Sequence, residues 1–289
     1  MPAYTKPGYA PDTGTKKFYL AGSRAGLDVA TEWYIDASNS TLFLYTPTGD
    51  CPANHLVEMK SRKWGFDLGT STNIHIKGLN IFGTGIRTWD SQDSGIDGIV
   101  ADYPAISRVS YSAGYDPGNV GFSGAMTTDS GIVPGGMAYN HYGRANILKN
   151  SVIKNAKTTA AFALGGEESK VVNNDIHDAL MAVIANGRRF LISYNTIHDI
   201  GSNAVQDYYY NTIIEHNDIS QILKDGNKDD EPFHPYGMDV GNSEWRYNRI
   251  HNFSALHYAA GLYADNGTSN LLICSIPHFN LRLDLVALA

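Results

Sequence analysis

Three aspartates in the second half of the chain have the residue type and spacing that glycosidic-bond hydrolysis requires. Asp207 lies ten residues before Asn217. Asp239 lies nine residues before Asn248, and Asp265 about eleven residues before the place where the next such Asn would fall. If these segments stack, neighbouring carboxylates lie about 5 Å apart. Retaining hydrolysis requires two carboxyl groups about 5–5.5 Å apart, and inverting hydrolysis about 6.5–9.5 Å. The trio is predicted to act as acid/base or nucleophile; the alternative is that each Asp caps a turn.

His234 is the fourth residue that could take part in this chemistry. It lies in an inserted polar segment, residues 223–235, near the predicted position of Asp239. An imidazole titrates near neutral pH and can act as an acid or a base. No cofactor is predicted with certainty, but these carboxylates could equally hold Ca²⁺, which takes oxygen ligands. No residue is assigned as a metal ligand.

A column of histidines offers a second arrangement. His177, His198 and His251 each lie three residues after a recurring Asn, so they should point the same way. Such a ladder could bind a metal or supply a base. Ser220 takes the place between His198 and His251, so three adjacent imidazoles do not occur. We interpret the column as a structural surface ladder.

Exposed aromatic rings would provide a binding surface for sugars. Pyranose rings stack on aromatic faces, and Tyr adds a hydroxyl group for hydrogen bonding. Side chains alternate along a strand, so at least one of the tyrosines at 208–210 must face outward, although others can point inward. Arg188 could neutralise a uronate carboxylate. The residues predicted to bind substrate are Tyr208, Tyr210, Tyr236, Trp245, Tyr263 and Arg188.

These candidates belong to an internal repeat. Five segments align on one asparagine, with a β-branched or aromatic residue three positions before it and Ile or Val two positions after it. The intervals are 24, 21, 22 and 31 residues, and the asparagines are Asn150, Asn174, Asn195, Asn217 and Asn248. NIHIKGLNIF (73–82) is predicted to be an earlier copy, and AISRVSYS (105–112) another.

A period near 22 residues with β-branched side chains predicts an all-β fold, a right-handed parallel β-helix. Leucine-rich repeats have a similar period but need several Leu in each unit, and these units have almost none. In a β-helix, Ile and Val fill the interior, and stacked asparagine amides hydrogen-bond from coil to coil. One coil cannot bury its apolar face alone, so the stack is the folding unit.

The repeat also predicts the organisation of the chain. Residues 1–72 form a small N-terminal β-rich segment with a hairpin around the turn DASNS, and residues 73–289 form the β-helix. Irregular coils and loops are expected at 84–145, and an inserted loop at 223–235. Two readings stay open for the last residues, LRLDLVALA: a cap on the stack, or a truncated or frame-altered end.

Composition excludes several classes of protein. The net charge of −7 disfavours a nucleic-acid partner, because phosphate contacts need clustered Lys and Arg. The sequence contains no run of 18 apolar residues, so no membrane span is predicted. Residues 1–14 lack the apolar core of a signal peptide. With 29 Gly, 18 Tyr and only 18% charged residues, the chain reads as a turn-rich β protein.

The segments YNTIHDIG, IIEHNDIS and RYNRIHN resemble repeats of right-handed parallel β-helix proteins of the pectate-lyase-like superfamily. EWYIDASNSTLFLYTPTGD and GLYADNGTSN resemble stretches of bacterial carbohydrate-active β-helix proteins. The resemblance covers roughly residues 30–273. It implies a secreted or extracellular protein with a polysaccharide or oligosaccharide partner, which works beside or is fused to other carbohydrate-active domains.

Residues and resemblance together predict a carbohydrate-active protein that cleaves a plant or algal polysaccharide by glycoside hydrolysis on one face of the β-helix. Two alternatives stay open. The first is a non-catalytic carbohydrate-binding module on the same scaffold. The second is a polysaccharide lyase, which needs a base and cationic groups for the uronate carboxylate.

Overall fold

The computed structural model describes residues 23–59, 64–88, 91–104, 132–134, 143–156, 160–206, 209–224, 231–235, 239–252, 262, 264, 267–276 and 278–279. The chain divides into two units, residues 1–59 and residues 60–289. Within the described residues no helix is long and apolar enough to cross a membrane.

The first unit contains the predicted hairpin. Strands β1 (Trp33–Asp36) and β2 (Thr41–Leu44) pair antiparallel. Asp36 closes the turn between them, because its Oδ1 accepts a hydrogen bond from the Ser38 backbone N–H at 3.0 Å. Two short 3₁₀ helices, Arg24–Gly26 and Pro52–Asn54, flank the hairpin in sequence.

The second unit is a parallel β-helix, as the repeat predicts. Three sheets of parallel strands run along it, and successive coils contribute strands to the sheets in turn. In the described residues, the last coil contributes strands only to the second and third sheets. Connections between parallel strands of one sheet are almost always right-handed, which agrees with the right-handed β-helix that the sequence predicts. Sheet 1 consists of β3 (Trp64–Asp67), β6 (Gly85–Thr88), β9 (Ile132–Pro134), β12 (Ala160–Glu167), β15 (Met181–Arg188), β18 (Val205–Gln206) and β22 (Phe233–His234), with β19 (Tyr209–Tyr210) beside β15.

The other two sheets have the same order of coils. Sheet 2 consists of β4 (His75–Lys77), β7 (Gly95–Asp97), β10 (Ile147–Lys149), β13 (Lys170–Val172), β16 (Leu191–Ser193), β20 (Ile213–Glu215), β23 (Asp239–Arg246) and β25 (Ser269–Cys274). Sheet 3 consists of β5 (Asn80–Phe82), β8 (Val100–Asp102), β11 (Val152–Lys154), β14 (Asp175–Ala179), β17 (Thr196–Ile200), β21 (Asp218–Ser220), β24 (Arg249–His251) and β26 (His278–Phe279).

Two columns of buried apolar residues, one from the middle of the strands in sheet 2 and one from those in sheet 3, form much of the core. Alternation along each short strand turns this middle residue inward and its two neighbours outward. The sheet 2 column is Ile76, Ile96, Leu148, Val171, Ile192, Ile214 and Trp245, and the sheet 3 column is Ile81, Ala101, Ile153, Ile176, Ile197, Ile219 and Ile250. Sheet 1 adds further buried residues such as Val183, Val205 and Phe233.

A buried asparagine ladder forms the corner between sheets 2 and 3. Each amide oxygen accepts the backbone N–H of the corresponding residue in the coil before it, at 2.9–3.1 Å. The ladder consists of Asn174, Asn195, Asn217 and Asn248, and it starts from the N–H of Ser151. The predicted place of Asn150 in this ladder is wrong by one residue. Asn150 occupies the preceding corner position, where φ is +53°, and Leu148, not Ile147, pairs with Val171.

The early repeat copy and the inserted segment are more regular than expected. NIHIKGLNIF supplies β4 and β5, which confirms it as a coil. The segment 84–145 includes β6, β7 and β8, which pair with β3, β4 and β5, with a register shift between Trp64 and Phe66 in the first of these pairs. The inserted segment 223–235 ends in β22, which pairs with β18. The candidate copy at 105–112 and the predicted cap LRLDLVALA lie outside the described residues.

Candidate functional site

A buried carboxylate, Glu231, lies beside a histidine, His234, where the inserted segment (residues 223–235) enters sheet 1. Glu231 has no exposed surface, and the His234 side chain is 12% exposed. His234 Nδ1 lies 3.3 Å from Glu231 Oε2, so the two form an ion pair when the imidazole is protonated. Glutamate is almost never fully buried unless it is paired. We call these two residues the Glu231–His234 pair.

Asn203 holds this pair in place. Its Oδ1 accepts a hydrogen bond from the Glu231 backbone N–H at 2.9 Å, and its Nδ2 lies 3.4 Å from His234 Nδ1. Asn203 itself is 1% exposed, so it is a fixed part of the structure. Strand β22 sets the direction of His234, because Phe233 pairs with Val205 on the buried side and His234 pairs with Gln206.

A buried aromatic cluster lies behind this strand, and it includes Trp245. Trp245 has no exposed surface, its Nε1–H donates to the Tyr209 hydroxyl at 2.9 Å, and its ring packs on Phe233 at 5.1 Å. The prediction that Trp245 binds substrate is therefore wrong, because it occupies the inward column beside Ile214. Burial raises the pKa of Tyr209 far above its usual value, so its hydroxyl stays protonated.

Tyr210 is exposed on the same sheet, as predicted for a sugar-stacking residue. Its side chain is 42% exposed, and it pairs in register with Arg188 of β15. The ring lies against Gly241, where an added Cβ would come within 2.2 Å of ring carbon Cε2. Glycine at 241 thus leaves room for the ring. Tyr208, Tyr236 and Tyr263 lie outside the described residues.

Arg188 is exposed but already paired. Its Nε donates to Glu167 Oε1 at 2.7 Å, and its terminal nitrogen also contacts that oxygen. Arg189 contacts both Glu167 and Glu168. The hydrogen bond from Arg188 holds the pKa of Glu167 below its usual value. An anionic substrate would have to compete with Glu167 for Arg188.

Asp239 is an ionised, exposed carboxylate at the start of β23. Its Oδ1 accepts hydrogen bonds from Asn270 Nδ2 at 3.0 Å and from the Gly241 N–H at 2.8 Å. These two contacts, with Asn270 the larger, hold the pKa of Asp239 below its usual value. Such a group suits a base or nucleophile better than a proton donor. Asp207 and Asp265 lie outside the described residues, so the predicted trio is not placed.

Two residues of this site, Glu231 and Asn203, carry only a weak signal in the sequence, and Glu231 is predicted only as a weaker candidate than the aspartates. Glu231 falls in the acidic run 229–231, which composition predicts to be solvated, yet it is buried. Asn203 looks like an ordinary turn residue. The available signal was the alternation of Phe233 and His234 after the acidic run, which marks a strand with one face inward.

A second aromatic group lies at the corner between sheets 2 and 3. The rings of Tyr194, His216 and Tyr247 stack 4.8 and 4.9 Å apart with interplanar angles of 4° and 11°. Each ring covers a face of its neighbour, so mainly ring edges and the outer faces of the stack reach solvent. Potential metal ligands come together elsewhere, on sheet 3, where Asp175, His177 and His198 are neighbours.

Comparison with known proteins gives matches among solved structures only. No protein-family model and no curated protein matches the chain. Among solved structures, the chain is similar to the receptor-binding domain of the siphovirus 9NA tailspike, with a TM-score of 0.42 and 10% sequence identity. The match covers 75% of this chain and 44% of the tailspike domain, so it spans less than half of that domain.

Proposed function

We propose that this protein binds a polysaccharide along the outer face of sheet 1 and hydrolyses its glycosidic bonds. The observation that carries the proposal is the Glu231–His234 pair on the same sheet as the exposed Tyr210. His234 is in register with Gln206 of β18, and Gln206 is in register with Ile184 of β15. Tyr210 is in register with Arg188, four residues further along β15. Four residues along a strand correspond to about 13 Å, so the two groups can contact different sugars of one chain.

In this proposal the Glu231–His234 pair supplies the proton. Glu231 is fully buried, whereas His234 keeps some exposure, so the imidazole is the member that can contact a saccharide. Glu231, whose Oε2 lies 3.3 Å from His234 Nδ1, holds the imidazole in place. Asp239 is the ionised partner, with Asp207 and Asp265 as further carboxylates of the same site. Tyr210 is the stacking residue, with Tyr208, Tyr236 and Tyr263 in the same role.

Hydrolysis is favoured over elimination by the state of the arginines. A lyase needs free cationic groups to neutralise the uronate carboxylate, and both Arg188 and Arg189 are bound to glutamates. Following the resemblance to pectate-lyase-like proteins, we place the protein outside the cell, acting on a plant or algal polysaccharide. It would work there beside other carbohydrate-active domains.

A binding-only module is the second candidate, and one contact favours it. Asp239 accepts the N–H of Gly241 two residues later, which is a common structural use of Asp in turns. A module would keep the stacking tyrosine and need no acid/base pair.

The test is a panel of neutral and acidic polysaccharides screened for binding and for new reducing ends. His234→Gln is expected to lower the cleavage rate by about 100-fold or more while binding persists. Glu231→Gln should also lower the cleavage rate, because the imidazole loses the carboxylate that holds it in place. Glu215→Gln, which removes a carboxylate paired with Arg246 on sheet 2, is the control and should leave the rate unchanged.

Binding is tested separately with tyrosine variants. Tyr210→Ala should weaken gel retardation by a soluble polysaccharide about tenfold. Tyr194→Ala, which removes an exposed ring from the stacked corner, should not. Binding without products would support the module, and unsaturated products would show elimination. If no polysaccharide binds, or if Tyr194→Ala and Tyr210→Ala behave alike, the proposal is wrong.

A further inference from the structure

Two histidines and an aspartate converge on the outer face of sheet 3. His177 of β14 and His198 of β17 are in register, with ring centroids 4.8 Å apart and an interplanar angle of 5°. Asp175 lies two residues before His177 and so on the same side of the strand. One ligand atom from each of the three residues lies within 4.8 Å of the others. We call these three residues the Asp175 cluster.

Each histidine is oriented by a carboxylate at its other ring nitrogen. His177 Nδ1 lies 2.8 Å from Asp178 Oδ2, and His198 Nδ1 lies 2.7 Å from Asp199 Oδ2. Since a carboxylate only accepts, both Nδ1 atoms must carry the hydrogen. In the neutral imidazole this leaves the Nε2 lone pair free to bind a cation. Metal-binding histidines almost always donate their second N–H to such a partner.

The contact between His198 and Asp175 requires a positive charge. Nε2 of His198 lies 3.2 Å from Asp175 Oδ1. That oxygen is buried, and among the described residues it accepts no hydrogen bond. Because Nδ1 already holds the hydrogen of a neutral His198, two lone pairs face each other at this distance. Either a second proton on the ring or a metal ion between the two atoms removes the repulsion.

The geometry suits a metal ion. In a tetrahedral site with bonds of about 2.0–2.1 Å, neighbouring ligand atoms lie roughly 3.3 Å apart. The observed 3.2 Å between Nε2 and Oδ1 matches this edge. The ligand atom of His177 lies within 4.8 Å of the other two, so the site requires His177 to move toward them when the ion binds. Asp175, Asp178 and Asp199 also give the surroundings a negative charge, of which Lys224 at Asp199 compensates one unit.

We propose that His177 Nε2, His198 Nε2 and Asp175 Oδ1 bind one divalent transition-metal ion, with Zn²⁺ as the best match. Two imidazoles and one carboxylate favour Zn²⁺, Co²⁺, Ni²⁺ or Cu²⁺ over Ca²⁺ and Mg²⁺, which take oxygen ligands. The three side chains leave the fourth position of a tetrahedron to water. This site is on sheet 3 and is independent of the proposed saccharide face on sheet 1.

The chain contains a matched control for this site. His251 lies in the same outward column, and its Nε2 contacts Asp218 Oδ1 at 2.8 Å, the same relation that His198 has to Asp175. It lacks a second imidazole, because Ser220 occupies the position that corresponds to His177. The proposal therefore requires that His198 binds a metal tightly and His251 does not.

The experiment measures Zn²⁺ binding to the full chain without a polyhistidine tag, by isothermal titration calorimetry. We expect one Zn²⁺ per chain and a rise in the thermal unfolding midpoint with Zn²⁺. His177→Gln, His198→Gln and Asp175→Asn should each weaken binding by about 100-fold or more, and Asp199→Asn by about 10- to 100-fold. His251→Gln should bind like the wild type. Co²⁺ should give a tetrahedral visible spectrum that His177→Gln abolishes.

Specific outcomes would overturn the proposal. The first is the absence of a stoichiometric site, and the second is equal binding by His198→Gln and His251→Gln. A variant in which Cys51 and Cys274, the free cysteines of the described residues, are both replaced by Ser must keep the site. Loss of binding in that variant would assign the metal to thiolates. Far-UV circular dichroism checks that each variant folds, and Asp175→Asn keeps the test decisive if a histidine variant does not.

Discussion

The asparagine ladder allows a quantitative test of the fold at Asn195. Its side chain is 1% exposed and makes four hydrogen bonds. The Oδ1 atom accepts from the Asn174 N–H and from Asn174 Nδ2, both at 3.0 Å. The Nδ2 atom donates to the Val171 carbonyl at 3.0 Å and to Asn217 Oδ1 at 2.9 Å. Asn195 therefore connects the coil before it to the coil after it.

Replacement of Asn195 by Ala removes all four bonds. The Asn174 side chain keeps a bond to the Leu148 carbonyl, and Asn217 Oδ1 keeps the Asn195 N–H. The Asn174 N–H and the Val171 carbonyl lose the partner that the amide provided. A buried polar group left unsatisfied costs about 1–3 kcal/mol, so we expect a loss of about 3 kcal/mol. For a unit of this size, that lowers the thermal midpoint by roughly 6–12 °C.

The assay is urea unfolding followed by circular dichroism, with Thr196→Ala as the control. Thr196 is exposed in the same coil, so its replacement should change the free energy of unfolding by less than about 0.5 kcal/mol. Asn195→Asp adds a pH test. Burial raises the pKa of the new carboxyl above its unfolded value near 3.9, so stability is retained below about pH 4 and lost as pH rises. Equal stability of Asn195→Ala and Thr196→Ala would refute the ladder's role, as would a pH-independent Asn195→Asp.

Three further predictions concern single positions. Gly166→Ala should destabilise the protein far more than Gly98→Ala, because an added Cβ at 166 meets a carbonyl oxygen at 2.0 Å, whereas at 98, with a similar positive φ, it meets nothing; urea midpoints compare them. Glu167 has a lowered pKa, so its contribution to stability is present above about pH 4.3 and is lost as pH falls through its folded-state pKa. Arg188→Ala should reduce this acid-induced fall in the unfolding midpoint, because it removes the hydrogen bond that lowers the pKa. Ser220→His should raise the Zn²⁺ stoichiometry from one to two, as measured by calorimetry.

The interior of the β-helix could be predicted from the sequence because it repeats. Each inward column needs an aliphatic side chain at a fixed place in every coil, so the pattern survives an interval as long as 31 residues between Asn217 and Asn248. The one-residue error at Asn150 has a physical cause. Two adjacent corner positions favour Asn, one for positive φ and one for the ladder, and Asn173 and Asn174 fill both.

The candidate site was harder to predict because it depends on what breaks the repeat. Residue type alone places Trp245 at the surface, whereas its position in line with Ile214 indicates burial. Glu231 lies in an insertion, where the repeat assigns residues to no inward or outward column. The repeat therefore cannot predict whether Glu231 is buried or exposed. Asp175 does not stand out in the sequence because it belongs to a different column from the histidines, two residues earlier on the same strand as His177.

Because the coils stack regularly, residues at equivalent positions of successive coils lie at fixed distances from one another. Ser220→His should therefore build a second metal site. Asp218 and His251 already have the relation of Asp175 and His198, although the first pair is 33 residues apart and the second 23. Histidine at 220 would complete the copy. The residues after these histidines differ, however: Gln221 and Asn252 replace the orienting aspartates, with the same positive φ.

The second site should therefore bind Zn²⁺ about 10- to 100-fold more weakly than the Asp175 cluster, because its imidazoles lack carboxylate partners. Adding Gln221→Asp and Asn252→Asp should close that gap, since aspartate at these corners would reach the adjacent Nδ1 as Asp178 and Asp199 do. The calorimetric control is Ser220→His combined with His251→Gln, which should return the stoichiometry to one. If Ser220→His binds no second ion even with both aspartates present, position in the column does not determine metal binding, and the geometric reasoning for the Asp175 cluster fails with it.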